Sequence, residues 1–220
     1  MDTAGHAHFG ALLIDLDGVL RRWPASDAAI ECRFGLAEGA IRAAAFERSL
    51  LQDVVTGKIS DEAWRQRVVE RLQARYPAAP VADAIADWAR DIGVVNEDVL
   101  DLVRRCAQTL RIVLVTNGTS RLHADLAALG LTEYLDAVVS SNVVGTAKPD
   151  PEIYMAAIQA AGVCVAEALF VDDSTSHVAA AERLGMRVLH FTGSESLATF
   201  LQHCGVRNEL ENNVTTTGKG

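Results

Sequence analysis

The feature that most constrains this chain is a series of short apolar runs, each ending in a polar turn and alternating with segments of helical texture. Ala11 to Ile14 is uniformly apolar and stops abruptly at Asp15-Leu16-Asp17-Gly18. Four apolar residues alone suit a strand or a buried helical turn, and the glycine that follows favours a buried strand. From Asn96 the alternation is regular. Asn96 caps a helix to about Gln108, Arg111 to Thr116 is a β-branched strand, and a helix from about Ser120 to Leu129 stops at Gly130. Ala137–Ser140, Ala168–Val171 and Arg187–Phe191 read as further strands, separated by helices from Pro151 to before Gly162 and from Thr175 to Leu184, with a last helix after Phe191. Strands joined through helices imply right-handed βαβ units. The expected fold is therefore α/β, a Rossmann-like doubly wound parallel sheet covered on both faces.

Between residues 26 and 92 the texture changes. Glu38–Leu51, Ser60–Tyr76 and Val81–Arg90 read as helices with charged outer faces, and no strand candidate interrupts them. Ser60 with Asp61 and Glu62 behind it supplies an N-cap and an acidic first turn. The expected organisation is a core of residues 8–24 and 93–207, a small all-helical insertion over 25–92 after the first strand, and a polar, disordered tail over 208–220.

Half of the 220 residues are hydrophobic and 22% are charged, enough apolar material for a sizeable core. Twenty Lys and Arg against 29 Asp and Glu leave a formal charge of −9. That balance argues against a nucleic-acid partner, whose phosphates call for clustered cations. No apolar run approaches the roughly 18 residues that span a bilayer, and no secretory leader is recognisable, so a cytoplasmic location without membrane association is expected. Cys32, Cys106, Cys164 and Cys204 lie too far apart for a zinc motif and are expected to be free, buried thiols.

In a doubly wound sheet, ligands bind beyond the carboxyl ends of the strands. That rule gathers Asp15 and Asp17 after the first strand, Thr116-Asn117-Gly118 after the second, Lys148 in the loop after the third and Asp172-Asp173-Ser174 after the fourth. Four carboxylates so close together call for a compensating cation. A hard divalent ion suits oxygen ligands, and Mg²⁺ leaves positions for water and a phosphoryl oxygen. With that charge offset, one carboxylate can attack phosphorus. A second, two residues on, can protonate the leaving oxygen and then activate water. A lysine ammonium and a threonine hydroxyl can hold the phosphoryl oxygens.

Leu12-Leu-Ile-Asp15-Leu-Asp17-Gly-Val-Leu20 resembles motif I of the haloacid dehalogenase (HAD) superfamily of phosphohydrolases. Thr116-Asn117-Gly118 resembles motif II, Lys148-Pro149-Asp150-Pro151 motif III and Phe170-Val-Asp172-Asp173-Ser174 motif IV, in that order. The resemblance implies a Mg²⁺-dependent phosphatase acting on a small phosphorylated metabolite. It makes Asp15 the nucleophile and a metal ligand. Asp17 would be the general acid/base, offering its backbone carbonyl to the metal. Asp173 would be a direct ligand, with Asp172 acting through water. Thr116, Asn117, Gly118 and Lys148 would bind the phosphoryl group. The helical insertion resembles the family's small cap, and Gly57–Trp64 is similar to a segment found in epoxide-hydrolase phosphatase domains and sugar-phosphate phosphatases.

One departure is His177, which stands where the family often has an acidic residue or Asn. Dehalogenases lack the second acid, so Asp17 disfavours them. A phosphonatase would need a cap lysine, and Lys58 is the only one in residues 25–92. A sugar phosphomutase would keep every motif, and a non-catalytic binding protein would ordinarily have lost one. Arg21, Arg22 and Trp23 either reach the substrate or form a solvated pair beside a packed indole. The Lys148–Pro149 bond is expected to be cis, and Lys148, as a loop residue, is expected to be dispensable for stability.

Overall fold

The computed structural model describes residues 8–23 and 27–206, so the expected tail at 208–220 lies outside the described residues. Strand β1 (Ala11–Ile14) leads through a two-residue strand β2 (Arg21–Arg22) into five helices. These are α1 (Asp27–Arg33), α2 (Ala40–Ala45), α3 (Arg48–Val55), α4 (Asp61–Arg75) and α5 (Val81–Trp88). Strand β3 (Val94–Val95) then returns antiparallel to β2, with Arg21 opposite Val95 and Arg22 opposite Val94. The rest of the chain alternates: α6 (Glu97–Cys106), β4 (Arg111–Thr116), α7 (Leu122–Ala128), β5 (Ala137–Ser140), α8 (Ser141–Val144), α9 (Pro151–Ala161), β6 (Ala168–Asp172), α10 (Thr175–Arg183), β7 (Arg187–His190) and α11 (Ser194–His203). Five strands form one parallel sheet in the order β5-β4-β1-β6-β7. This is the Rossmann-like α/β fold expected, with a helical insertion after its first strand.

The apolar runs are explained by the two faces they serve. Leu12 and Ile14 of β1, Ile112 and Leu114 of β4, and Leu169 and Val171 of β6 pack with α6, α7 and α11. Ala11, Leu13, Val113, Val115, Ala168 and Phe170, one residue out of phase, pack with α9 and α10 on the opposite face. Period-two alternation with both faces buried leaves no polar positions in the interiors of these strands. The insertion has an apolar cluster of its own, from Ile30, Ile41, Leu50, Trp64, Val68, Leu72 and Ile85 among others.

Several local expectations are corrected. The helix expected over Glu38–Leu51 is two helices, because Glu47 takes an extended conformation and caps the second. Its carboxylate accepts from Ser49 Oγ and from the backbone N–H groups of Ser49 and Leu50, which pull its pKa down to about 2. Asn96 precedes α6 without capping it through its side chain. Its amide instead donates to the Val19 carbonyl at 3.1 Å, tying α6 to the turn after β1. All four cysteines are free, but only Cys106 is fully buried, and burial pushes its thiol up to about 11. Among the described residues no helix is long and apolar enough to cross a membrane.

One buried acid organises the start of the insertion. Glu31 is 1% exposed, and its two oxygens accept the N–H groups of Gly39 at 2.7 Å and Ile41 at 2.8 Å at the start of α2. Glu31→Ala would strand these donors, and a buried donor without a partner costs about 1–3 kcal/mol. The variant should lose about that much unfolding free energy in urea titration. An unchanged midpoint would show that α2 holds its place without Glu31.

Candidate active site

The central position of β1 sets the geometry. Asp15 directly follows it, and its N–H donates to the Val171 carbonyl of β6 at 3.0 Å, so the carboxylate sits where the three middle strands end. Lys148 approaches from the loop after β5 and α8. Its ammonium lies 2.8 Å from Asp15 Oδ1 and 2.6 Å from Asp172 Oδ2, and donates to the Val115 carbonyl at 2.8 Å. The Lys148–Pro149 bond is cis, as expected. Asn117 braces the Lys148 backbone reciprocally: its amide donates to the Lys148 carbonyl at 3.0 Å, and the Lys148 N–H donates back at 2.8 Å. Motif II thus grips motif III through the Asn117 side chain, a role the motif alone did not disclose.

Asp172 is fully buried at the end of β6 and saturated with donors. Besides Lys148, the Ser174 N–H donates to Oδ1 at 2.8 Å. His177 Nδ1 lies 3.0 and 3.1 Å from the two oxygens. A carboxylate can only accept, so the imidazole is the donor. His177 therefore stands behind Asp172 in the first turn of α10.

Carboxylate oxygens of Asp15, Asp172 and Asp173 all lie within 4.8 Å of one another. The donors are hard oxygens, and three carboxylates exceed the charge one ammonium offsets, so the cluster fits a divalent cation. Gly18, at φ +84°, passes so close to Asp173 that any Cβ would run into its carboxylate.

Burial and charge act differently on each acid. Burial pushes Asp15 up to about 6, with Lys148 opposing and Asp172 adding to the rise. Burial also acts upward on Asp172, but hydrogen bonds from His177 and Lys148 hold it below the usual range. Asp173 is raised by burial and by the neighbouring Asp172 charge. Desolvation opposes the Lys148 charge, yet the two carboxylates prevail and its pKa is raised.

Asp17 does not join the acidic cluster through its carboxylate. Its Oδ1 accepts from Arg21 Nε and Trp23 Nε1, each at 2.7 Å, and its Oδ2 accepts from Arg21 Nη2 at 3.0 Å. Arg21 is 5% exposed and also reaches Asp125, so it is neither solvated nor free for a ligand. Trp23 is 48% exposed, so it is not a packed indole either. The four-residue step from Asp17 to Arg21 was the available signal for this pairing. Thr116 is buried at the end of β4, and Gly118 with Asn117 lines a cavity of about 780 Å³.

That cavity runs from Asp17, Asn117 and Gly118 to the insertion, reaching Phe46, Leu51 and Trp64. The insertion is fastened beside it. Thr119 Oγ1 donates to Asp61 Oδ1 at 2.9 Å, the Asp61 N–H donates to Ser120 Oγ at 2.9 Å, and Arg121 donates to the Ala89 carbonyl at 3.0 Å. Lys58 pairs with Asp53 at 3.4 Å on the exposed side and is not among the cavity's lining residues.

The burial of Lys148 between two carboxylates argues against its being dispensable for stability. Removing one partner of a buried ion pair costs about 3–5 kcal/mol. Lys148→Met should lower the unfolding free energy of the metal-free protein by about that much at pH 8. The deficit should shrink at pH 5. A carboxylate whose folded pKa is raised binds its proton more readily when folded, so its unfavourable contribution develops as pH rises through that pKa. Urea unfolding in chelator at the two pH values checks this, and equal deficits would refute it.

The profile described as haloacid dehalogenase-like hydrolase matches residues 9–185. A phosphoglycolate phosphatase (plasmid) of Cupriavidus necator is 33% identical over 193 residues, covering 81% of this chain and 78% of that protein. Among solved structures, a HAD-like family hydrolase from Porphyromonas gingivalis aligns with a TM-score of 0.68 at 22% identity, covering 89% of this chain and 98% of that one. A HAD family enzyme from Bacteroides thetaiotaomicron, in complex with magnesium and inorganic phosphate, aligns with a TM-score of 0.67 at 20% identity, covering 84% and 94%. With its strand-end acids, its buried lysine and a profile match along most of its length, the chain belongs to the haloacid dehalogenase-like hydrolases.

Proposed function

We propose that this enzyme hydrolyses a small phosphate monoester through an aspartyl-phosphate on Asp15, with residues 25–92 acting as a cap over the core of residues 8–24 and 93–207. The observation that carries this reading is the convergence of Asp15, Lys148, Asp172 and Asp173 at the end of the central strand, with Asp17 facing the cavity beside them. A Mg²⁺ ion bound by Asp15, Asp173 and the Asp17 carbonyl, with Asp172 behind it, would offset the negative charge of carboxylates and phosphoryl oxygens.

In the first step an Asp15 oxygen attacks phosphorus and the bond to the leaving oxygen breaks. Asp17 gives that oxygen its proton, leaving as a neutral alcohol. In the second step Asp17 takes a proton from water as the water oxygen attacks phosphorus, and the bond to Asp15 breaks to release phosphate. Lys148 holds Asp15 in place, and its ammonium, with the Thr116 hydroxyl, stabilises charge on the transferring oxygens. Arg21 and Trp23 fix the Asp17 carboxylate, and releasing Oδ2 from Arg21 frees it for the leaving oxygen.

Asp15→Asn keeps the side chain's shape but removes the nucleophile, so kcat for an aryl phosphate should fall by more than about 10²-fold, or ~3 kcal/mol of barrier. Asp17→Asn should slow both steps, each by roughly 10²–10⁴. Phosphate release should require Mg²⁺ and stop in chelator, and the wild type should release no halide from a 2-haloacid. Wild-type rates in Asp15→Asn would remove Asp15 as nucleophile; halide release would move the protein to the dehalogenases.

A further inference from the structure

The cavity in front of Asp17 carries information about the alcohol that leaves. Its volume, about 780 Å³, far exceeds what a two-carbon phospho-acid fills and lies in the range of sites for drug-sized ligands. Two exposed aromatic rings line it. Trp23, 48% exposed, belongs to the core beside Asp17, and Phe46, 43% exposed, belongs to the insertion. Ligand pockets are lined predominantly by hydrophobic and aromatic side chains, and aromatic rings contribute large contact area there. Leu51 and Val55 extend the apolar wall.

The charges in the lining speak against an anionic leaving group. Four guanidinium groups face the cavity, and each is already paired: Arg21 with Asp17 and Asp125, Arg42 with Asp27, Arg65 with Asp61, and Arg121 with Asp125. Seven carboxylates line it against these four cations. A substrate carboxylate or second phosphate entering there would lose hydration, meet a net negative field and find each described arginine engaged. A cationic leaving group is disfavoured on other grounds. A cation packed on these rings would meet a like charge, since the Arg21 guanidinium lies 4.5 Å over one face of Trp23 and that of Arg42 5.0 Å over one face of Phe46.

We infer that the substrates are phosphate monoesters of an uncharged alcohol bearing a planar aromatic group, which packs against Trp23 and Phe46 while its ester oxygen meets Asp17. The inference rests on the phosphatase reading above and narrows it.

The test uses the wild-type protein with Mg²⁺ and esters whose leaving alcohols have similar basicity, so that rate differences report binding. Burial of one aromatic ring should raise kcat/KM for 2-phenylethyl phosphate roughly 10- to 100-fold above that for ethyl phosphate. 2-Phosphoglycolate and choline phosphate should be poorer than 2-phenylethyl phosphate. Trp23→Leu and Phe46→Leu should each cut the phenylethyl-to-ethyl ratio several-fold, and in Phe46→Leu the loss should fall on KM rather than kcat. The ratio is the readout because Trp23 also touches Asp17. A wild-type ratio near one, or a preference for phosphoglycolate or choline phosphate, would overturn the inference and leave the phosphatase reading standing. No phosphate release from any ester would overturn both.

Discussion

A single buried ammonium holds the working end of this molecule together. Lys148 contacts the carboxylate after β1, the last carbonyl but one of β4 and the carboxylate that ends β6, so one side chain ties the three central strands at the edge where they stop. Each tie is itself supported. Asn117 holds the lysine backbone, and His177 and Ser174 hold Asp172 from behind. The arrangement is stable only as a set. Two carboxylates at this depth would repel without the lysine, and the lysine would be costly to bury without them. The remaining negative charge, with Asp173 at the rim, fits the site to a divalent cation.

The insertion completes this edge by walling it. Asp61 at the start of α4 locks onto Thr119 and Ser120, in the loop that immediately follows Asn117 and Gly118. The loop that braces Lys148 is therefore also the loop that anchors the insertion. Arg121, the next residue, bonds both Asp125 and the end of α5. Asp125 in turn faces Arg21, and Arg21 faces Asp17. A continuous polar path thus runs from the base of the insertion to the carboxylate beside the cavity.

Much of this was legible in the sequence, for definite reasons. Strands buried on both faces carry no polar residue in their interiors, so Asp15, Thr116 and Asp172 announced the sheet edge themselves. Gly162, Gly185 and Pro151 marked helix ends through backbone chemistry that does not depend on distant neighbours. What stayed hidden depends on tertiary partners. Glu31 reads as one more surface acid of a helix until α2 begins beside it. The break at Glu47 hinges on a carboxylate turning back to its own backbone, which helical periodicity does not register. His177 looked like a departure from the family pattern, and only the fold shows that its ring reaches Asp172. Arg21 was placed between ligand and solvent, whereas it is buried and paired with Asp17 and Asp125.

The short β2–β3 pair has a consequence for how such a fold can change. It clamps the two ends of the insertion together, Arg21 against Val95 and Arg22 against Val94, before the chain returns to the sheet. The parallel pairing of β1 with β4 is thereby insulated from whatever lies between residues 23 and 93. Closure entropy grows slowly with loop length, by about 0.6 kcal/mol for each doubling. The helices between could lengthen, shorten or be exchanged at small thermodynamic cost to the strands that carry Asp15 and Asp172. Under the proposed reading, the chemistry would stay with the sheet while the wall facing the leaving alcohol would be free to drift.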